Sequence, residues 1–419
     1  RRLAAGLRVR GVKREERVLV LVHDTVDWPV AFLGAMWAGA VPVAVNTLLT
    51  ADDYAYMLEH SRAQAVIVSG ALLPALEAAM VKSDHEVHTV LVSRPIAPLE
   101  PSKLDLGELV DAHAPLENAA STRADEMAFW LYSSGSTGRP KAAVHAHASP
   151  YWTAELYGKA ILGLREDDVC FSAAKLFFAY GLGNALTFPM SVGASTLLNA
   201  DRPTPALMFS FLNKYNPTIF FGAPTLFAAM LNDETQKDAK AGTRLRICTS
   251  AGEALPESVG LAWKKRFGVD ILDGIGSTEL LHIFLSNAPG DIKYGTSGRP
   301  VPGYKVRLVS DDGEDVPDGE IGELLVEAPS AGEGYWNQRA KSRHTFQGHW
   351  TRTGDKYVRE ADGRYTFCGR ADDMFKVSGI WVSPFEVESA LITHPAVLEA
   401  AVVPEADPEG LLKPKAFVV

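Results

Sequence analysis

The stretch that decides how this chain is interpreted is Tyr132-Ser133-Ser134-Gly135-Ser136-Thr137-Gly138-Arg139-Pro140-Lys141. An apolar strand is predicted directly before it, from Met127 to Leu131, so the small and hydroxyl residues follow a strand end. Small residues let backbone N–H groups turn towards a ligand, hydroxyls add donors, and Lys141 adds a positive charge. Together these groups suit a polyphosphate. The alternative, a flexible surface turn, is disfavoured by this ordered series of residues.

Two better-known nucleotide loops do not fit. A Walker A loop needs Gly-Lys followed by Ser or Thr, whereas Pro140 precedes Lys141 here. The dinucleotide signature Gly-X-Gly-X-X-Gly lacks its third glycine after Gly181-Leu182-Gly183 and after Gly274-Ile275-Gly276. A nicotinamide-dependent oxidoreductase is therefore a weaker alternative. A non-catalytic nucleotide-binding module is the other alternative.

The bulk composition indicates a globular protein of two or three domains. The chain has 419 residues, 47% of them hydrophobic and 22% charged. A net charge of -10 argues against a nucleic-acid partner, which needs a basic surface. The apolar stretch from Pro29 to Val45 is shorter than the ~20 residues that a membrane span needs. Three cysteines (Cys170, Cys248 and Cys368) lie far apart without metal-ligand spacing, which favours reduced thiols in a cytoplasmic protein.

The order of predicted elements indicates an α/β fold. Apolar runs alternate with helix-period segments through the first two-thirds of the chain, which predicts parallel sheets covered by helices. A strand is predicted at 17–23, helices are predicted at 28–38 and 386–394, and Thr50 is predicted to cap a helix with Asp53 in the capping-box position. After about residue 295, Gly, Pro and short alternating runs predict a β-rich subdomain that extends to about residue 368. We therefore expect a large domain over residues 1–371. Residues 372–419 are expected to form part of a small, mobile α+β domain. His145 and His147 are expected at the start of a helix.

The phosphate-loop stretch resembles that of the adenylate-forming superfamily of acyl-CoA synthetases, peptide-synthetase adenylation domains and firefly-type luciferases. Four further stretches resemble motifs of this superfamily and occur in its order: Ser250–Glu253, Gly276–Glu279, Trp350–Asp355, and Gly369–Asp373 with Lys376 and Gly379. Each match is short, but the series spans nearly the whole chain. Chance is a poor explanation for all of them together.

The resemblance implies roles for individual residues. Glu279 would hold Mg²⁺, Asp355 would accept hydrogen bonds from the ribose hydroxyls, and Asp372 would be the hinge between the two domains. The residues expected to be catalytic are Thr137, Lys141, Glu279 and Arg370. Those expected to contact the nucleotide are Ser133, Ser134, Gly135, Ser136, Thr137, Gly138, Lys141, Gly252, Glu253, Asp273, Gly274, Ile275, Ser277, Thr278, Asp355 and Arg370.

Three features depart from the family pattern. Ile275 stands where the family has an aromatic residue beside adenine, and Ala142 stands where a glycine usually follows the phosphate-loop lysine. An aliphatic face at position 275 still buries apolar area against the base. The ends of the chain look abrupt. We expect the sequence to be truncated at both ends, with the family's C-terminal catalytic lysine beyond Val419.

The expected acid-binding segment is Lys175–Asn184. Amino-acid-activating relatives carry an aspartate there that pairs with the substrate ammonium, and this segment has none. The aromatic and small residues suit a flat ring, and the segment together with Gly274–Phe284 resembles benzoate–CoA ligases. The residues expected to contact the acid are Phe178, Ala179, Tyr180, Gly181, Gly252, Gly276, His282 and Ile283. Plain core packing is the alternative for Phe178, Tyr180 and His282.

The reaction implied is an AMP-forming ligation. An aromatic acid, with benzoate favoured over a substituted benzoate or another aryl acid, would react with ATP to an acyl-adenylate and then with coenzyme A to a thioester. The expected partners are the acid, ATP, Mg²⁺ and coenzyme A, without nucleic acid or membrane. The resemblance leaves a homodimer open.

Overall fold

The structure, a computed structural model, describes residues 1–135, 138–377, 380–392, 394, 396–397, 399–406 and 412–419. Its α-helices are α1 (Arg2–Val9), α2 (Asp27–Ala38), α3 (Ala51–Ser61), α4 (Leu73–Lys82), α5 (Leu106–Asp111), α6 (Ser149–Thr153), α7 (Ala179–Leu182), α8 (Phe188–Val192), α9 (Pro205–Tyr215), α10 (Pro224–Asn232), α11 (Glu257–Phe267), α12 (Arg339–Thr345) and α13 (Pro384–Ile392). Short 3₁₀ turns cover Gly70–Leu72 and Glu234–Gln236, and π-helical turns cover Ala154–Lys159 and Gly183–Thr187.

The strands, in chain order, are β1 (Arg17–Leu21), β2 (Val41–Ala44), β3 (Ala65–Ser69), β4 (Thr89–Ser93), β5 (Lys103–Asp105), β6 (Met127–Gly135), β7 (Gly138–Ala146), β8 (Val169–Ser172), β9 (Ser195–Leu197), β10 (Ile219–Gly222), β11 (Ile247–Ser250), β12 (Ile271–Gly276), β13 (Ile283–Ser286), β14 (Arg299–Pro300), β15 (Lys305–Val309), β16 (Ile321–Glu327), β17 (Gly334–Tyr335), β18 (Phe346–Gln347), β19 (Trp350–Arg359), β20 (Tyr365–Arg370), β21 (Phe375–Val377), β22 (Ile380–Val382), β23 (Ala400–Ala406) and β24 (Leu412–Val418).

The first sheet has the order β17-β7-β6-β2-β1-β3-β4-β5. The strands from β6 to β5 in this order pair in parallel, and β7 and β17 are added antiparallel. Val18 and Val20 of β1 pack on the side of α1 and α2, whereas Leu19 and Leu21 pack on the side of α3 and α4. Successive side chains of a strand point to opposite faces, so a parallel strand covered on both faces reads as one apolar run.

The second sheet has the order β14-β13-β12-β11-β10-β8-β9, with β8 to β12 parallel and β13 and β14 antiparallel. Helices α9, α10 and α11 cover one face, where Phe227 packs against both Phe220 and Trp263. The predicted α/β class is confirmed. Thr50 and Asp53 form the predicted capping box at the start of α3.

The β-rich segment forms a third sheet. Strands β15, β16, β19, β18 and β20 pair antiparallel. Beyond it, the hairpins β21–β22 and β23–β24 flank α13. Phe385 of α13 contacts the ring of Phe367 at 5.1 Å, and the Ser383 hydroxyl donates to the Cys368 carbonyl. This part of the C-terminal segment thus packs on β20. The division into two domains at residue 371 stays a prediction.

One local prediction is wrong. His145 lies inside β7, opposite Phe129 of β6, and α6 begins only at Ser149. The hydrogen bonds and buried apolar side chains of the β6–β7 hairpin extend the strand past the position where a helix was expected. In the part of the chain that the structure describes, no helix is both long and apolar enough to span a membrane.

Candidate active site

A cleft of about 1260 Å³ brings the predicted motifs together. The phosphate-loop hairpin contributes from the first sheet, the end of β12 from the second, and β19 and β20 from the third. Ser133 and Arg370, which are 237 residues apart in the chain, therefore border one space. The predicted residues that line it are Ser133, Lys141, Gly252, Glu253, Gly274, Ile275, Gly276, Ser277, Thr278, Glu279, Asp355, Arg370 and Asp372.

The described residues of the phosphate loop lie at the adjoining ends of β6 and β7. Ser133 of β6 lies opposite Lys141 of β7, and Gly135 lies opposite Gly138. Ser134 belongs to β6, so the strand extends into the loop. Ser136 and Thr137 lie outside the described residues. Because Lys141 is paired with Ser133 in the sheet, it has a defined position at the edge of the cleft.

Glu279 lies just after β12 and projects into the cleft. Its Oε1 accepts a hydrogen bond of 2.6 Å from the Tyr335 hydroxyl and lies 3.5 Å from Oγ of Ser133. Its backbone carbonyl accepts from the N–H of Gly332 at 2.8 Å. The carboxylate is therefore held in place before any ligand arrives, which suits a predicted metal ligand.

Tyr335 is a residue of this site that the sequence did not indicate. Its hydroxyl accepts from Nζ of Lys141 at 3.3 Å, and the same ammonium lies 4.6 Å from the centre of its ring. Burial is the main cause that raises the pKa of Tyr335, so its hydroxyl stays protonated and can donate. No spacing near Tyr335 marks it, because its partners are 56 and 194 residues away.

Asp355 and Arg370 form a pair on neighbouring strands. They are opposite each other in β19 and β20, and Nη1 of Arg370 donates to Oδ1 of Asp355 at 2.7 Å and to the carbonyl of Thr353 at 3.1 Å. Burial raises the pKa of Asp355, while the guanidinium opposes that shift. The Asp355 carboxylate faces the cleft and is the expected acceptor for ribose hydroxyls. Gly354 takes a positive φ of 74° within β19, between Thr353 and Asp355.

The residues at the ends of β11 and β12 line the part of the cleft that is predicted to hold the adenine. Gly252 has a φ of 102°, which a side chain would strain, and Glu253 follows it at the exposed edge. Asp273 differs from its neighbours because it is buried and does not line the cleft. Its Oδ2 lies 3.4 Å from the backbone N–H of Leu255, and burial raises its pKa to about 8.

A buried histidine holds Thr278 in place. Nε2 of His145, on β7, donates to the backbone carbonyl of Thr278 at 2.8 Å. Burial lowers the pKa of His145 to about 4, so the ring is neutral at pH 7. The ring thus joins the phosphate-loop hairpin to the segment that carries Glu279. Its sequence position gave no sign of this contact, since 133 residues separate the partners.

The predicted acid-binding residues fall into two groups. Tyr180, on α7, is hydrogen-bonded through its hydroxyl to Oγ1 of Thr249 at 2.5 Å. The His282 ring lies 5.5 Å from the Tyr180 ring and donates from Nε2 to Oδ1 of Asn184 at 3.1 Å. Burial lowers the pKa of His282 to about 3, so this wall is uncharged. Phe178 is different, since its side chain is 47% exposed.

Gly276 and its neighbours are tightly packed against this group. A Cβ on Gly276 would come within 2.6 Å of the His282 carbonyl oxygen, and one on Gly181 within 2.0 Å of the Lys175 carbonyl oxygen. The Ile283 side chain is buried in the core of the second sheet. Of the predicted acid-contacting residues, Gly252 and Gly276 line the large cleft. The other six, including Ala179, do not, and their contact with an acid stays a prediction.

Two family profiles match the chain. That of the AMP-binding enzymes matches residues 1–336, and that of the AMP-binding enzyme C-terminal domain matches residues 386–419. The chain belongs to the AMP-binding enzyme family. One matched stretch covers the N-terminal region of the chain and the other its C-terminal region. The adenylate-forming resemblance predicted from the five motifs is confirmed.

Within this family the chain is similar to ligases of aromatic acids. It is 54% identical over 409 residues to a 4-hydroxybenzoate–CoA/benzoate–CoA ligase of Rhodopseudomonas palustris, a match that covers 98% of this chain and 75% of the relative. It is 54% identical over 411 residues to a benzoate–CoA ligase of Thauera aromatica, covering 98% and 76%. These relatives confirm the predicted class, an aromatic acid–CoA ligase, over the dinucleotide-dependent oxidoreductase.

Solved structures of similar proteins share the fold. A benzoate CoA ligase from Burkholderia xenovorans superposes with a TM-score of 0.91 at 55% identity, covering all of this chain and 81% of that one. An anthranilate CoA ligase in complex with anthranoyl-AMP superposes with a TM-score of 0.94 at 44% identity, covering all of this chain and 79% of that one. The AMP-binding fold is thus confirmed from end to end of the chain.

Proposed function

We propose that this AMP-binding enzyme converts benzoate, ATP and coenzyme A to benzoyl-CoA, AMP and pyrophosphate. One observation carries the proposal: a single cleft is lined both by the Lys141–Tyr335–Glu279 group and by the Asp355–Arg370 pair. The first group has the charges for a triphosphate, and the second has the acceptor and donors for a ribose. The relatives that are 54% identical carry benzoate in their names.

The nucleotide would lie along the cleft. Asp355 offers carboxylate oxygens to the ribose hydroxyls. The guanidinium of Arg370 has several N–H donors and can direct some of them to the nucleotide instead of to Asp355. Lys141 offers an ammonium to the β- and γ-phosphates. Ile275 gives an aliphatic face, which the adenine would cover. In this arrangement the protein supplies positioning and charge neutralisation.

Mg²⁺ fits the donor set at Glu279. A carboxylate is a hard oxygen ligand, and Mg²⁺ in nucleotide sites commonly takes one or two carboxylates, with phosphates and water completing its coordination. Among the described residues, no group of three or more His, Cys, Asp or Glu side chains could hold a metal without the nucleotide. When bound, the ion would neutralise the negative charge of the phosphates. We assign Glu279 as its protein ligand.

The reaction has two steps. In the first, a carboxylate oxygen of the acid bonds to the α-phosphorus of ATP, the bond to the bridging oxygen breaks, and pyrophosphate leaves. In the second, the coenzyme A sulfur bonds to the acyl carbon and gives up its proton, and AMP leaves as the acyl–oxygen bond breaks. We assign Asp372, at the edge of the cleft, as the hinge that moves the C-terminal segment between the steps.

The choice of benzoate follows from charge and shape. The neutral His282 and the hydrogen-bonded Tyr180 leave no charge to pair with a substrate ammonium, so an amino acid would bury an unpaired charge. Gly181 and Gly276 pack closely against backbone carbonyls, so neither position leaves room beside it for a long acyl chain. The three buried cysteines form no disulfide, and we propose the reducing cytoplasm as the site of action.

A panel of acids tests the proposal. Benzoate, 4-hydroxybenzoate, octanoate and phenylalanine would each be supplied with ATP, Mg²⁺ and coenzyme A, and AMP and thioester would be measured. We expect benzoate to have the highest kcat/KM. A higher value for 4-hydroxybenzoate would move the assignment to a substituted benzoate, a substrate in the name of one 54% identical relative. A higher value for octanoate or phenylalanine would refute the aromatic assignment.

A further inference from the structure

Three groups form a chain of contacts across the phosphate end of the cleft. Nζ of Lys141 lies 3.3 Å from the Tyr335 hydroxyl, and that hydroxyl lies 2.6 Å from Oε1 of Glu279. A carboxylate can only accept hydrogen bonds, and an ammonium can only donate them. The hydroxyl must therefore donate its proton to Glu279 and accept from Lys141. It stands between a positive and a negative side chain and satisfies both.

Tyr335 is held firmly in this position. It lies on β17, paired with Ala143 of β7, two residues beyond Lys141 in the same strand. Its backbone N–H donates to Oγ of Ser342 at 2.9 Å, and its ring packs edge-on against Phe346 at 5.4 Å. The residue is only 5% exposed. Strand pairing and packing thus place the hydroxyl independently of the two charged groups.

We propose that Tyr335 is a positioning residue that keeps Lys141 and Glu279 from pairing directly before Mg²⁺ and ATP bind. This inference rests on the proposed function of the cleft. A direct ion pair between the two would have to break before the ammonium could reach a phosphate and the carboxylate could reach a cation. The neutral hydroxyl holds both charged groups in the same place through hydrogen bonds that are weaker than a direct ion pair. Less free energy is therefore lost when ATP and Mg²⁺ replace these contacts.

The variant Tyr335→Phe isolates the hydroxyl. Phenylalanine keeps the ring that packs on Phe346 and lies beneath the Lys141 ammonium. Without the hydroxyl, Lys141 and Glu279 can close into a direct pair. We expect the Kd of a non-hydrolysable ATP, adenosine 5′-(α,β-methylene)triphosphate with Mg²⁺, to rise about tenfold, the scale of one hydrogen bond to a charged group. AMP, which has no β- or γ-phosphate, should bind as it does to the wild-type chain.

The binding experiment has two controls. Tyr54→Phe removes the hydroxyl of another buried tyrosine, which does not line the cleft and donates a hydrogen bond of 3.1 Å to the Asn46 carbonyl. This variant should leave both Kd values unchanged. The double variant Tyr335→Phe with Glu279→Gln removes the negative partner. If the hydroxyl acts by separating two charges, Tyr335→Phe should have little further effect once Glu279 is neutral.

The outcomes separate this inference from the proposed function. An unchanged Kd for the Mg²⁺-bound ATP analogue in Tyr335→Phe would refute it. So would an equal loss of AMP binding, which indicates a structural role, or full additivity in the double variant. In each of these cases the wild-type chain still binds the analogue and the proposed function stands. If the wild-type chain binds neither nucleotide, the proposed function fails, and this inference fails with it.

Discussion

Glu279→Gln is the replacement that tests the chemistry of the cleft most directly. Glutamine has nearly the same shape as glutamate, and its carbonyl oxygen can still accept the 2.6 Å hydrogen bond from Tyr335. The backbone contact from Gly332 to position 279 does not involve the side chain. The local fold should therefore survive. What is lost is one negative charge at the place where the metal is proposed to bind.

The size of the effect follows from the surroundings of this carboxylate. Removing one group that stabilises charge in a transition state costs roughly 10²–10³ in rate, or about 2.7–4 kcal/mol. Glu279 is only half-buried and borders an open cleft, so water partly screens its charge. We therefore expect the lower end, about a 10²-fold loss in kcat for adenylation. The Mg²⁺ concentration needed for half-maximal rate should also rise.

The assay is benzoate-dependent pyrophosphate release at saturating ATP, followed across a series of Mg²⁺ concentrations. Glu257→Gln is the matched control, because this glutamate lies on the exposed first turn of α11. The control should release pyrophosphate at the wild-type rate. Unchanged release by Glu279→Gln at physiological Mg²⁺ would remove Glu279 from the metal role, and equal losses in both variants would point to a general loss of stability.

Two further predictions concern the hinge and a buried carboxyl. Asp372→Pro should impair one half-reaction more than the other, because proline fixes φ at the proposed hinge; equal losses in pyrophosphate release and thioester formation, with the protein folded, would contradict a hinge. Asp24 is buried beneath the acid-binding segment, where its carboxyl accepts from the N–H of Leu176 at 3.1 Å, and burial raises its pKa from 3.8 to about 7. Because the pKa of Asp24 is raised in the folded state, its contribution to the free energy of unfolding is most favourable below pH 3.8 and falls as the pH rises towards 7. Asp24→Asn, which can still accept from Leu176, should remove this loss. Relative to wild type, its free energy of unfolding should therefore rise by about 3 kcal/mol between pH 5 and pH 8, as denaturant titration would measure; a constant difference would contradict the prediction.

Much of the fold could be predicted from local patterns. The strand predicted at 17–23 is β1 (Arg17–Leu21), and the helix predicted at 28–38 is α2 (Asp27–Ala38). The helix predicted at 386–394 is α13 (Pro384–Ile392). The prediction failed at His145, where no local signal distinguishes a helix start from the end of a long hairpin strand. There the deciding interaction is cross-strand pairing with Phe129, sixteen residues earlier.

The candidate site, like the fold, could be predicted from the sequence only in part. Lys141, Glu279, Asp355 and Arg370 lie in short motifs whose resemblance to the adenylate-forming superfamily identified them, and all four line one cleft in the structure. Tyr335 lies outside every motif that the sequence suggested. Its importance arises because β17 pairs with β7 and brings its hydroxyl between two distant charges.

The sequence by itself determined the class of fold, the order of the motifs and the kind of ligand. These properties depend on the hydrophobic period and on residue types within a few positions of one another. Short stretches of the sequence are therefore enough to predict them. Only the tertiary structure decided which side chains meet. Glu279 and Tyr335 are 56 residues apart, His282 and Asn184 are 98 apart, and Lys141 and Tyr335 are 194 apart. Contacts at such separations are set by how sheets pair and pack around a shared core, and that is a property of the whole chain.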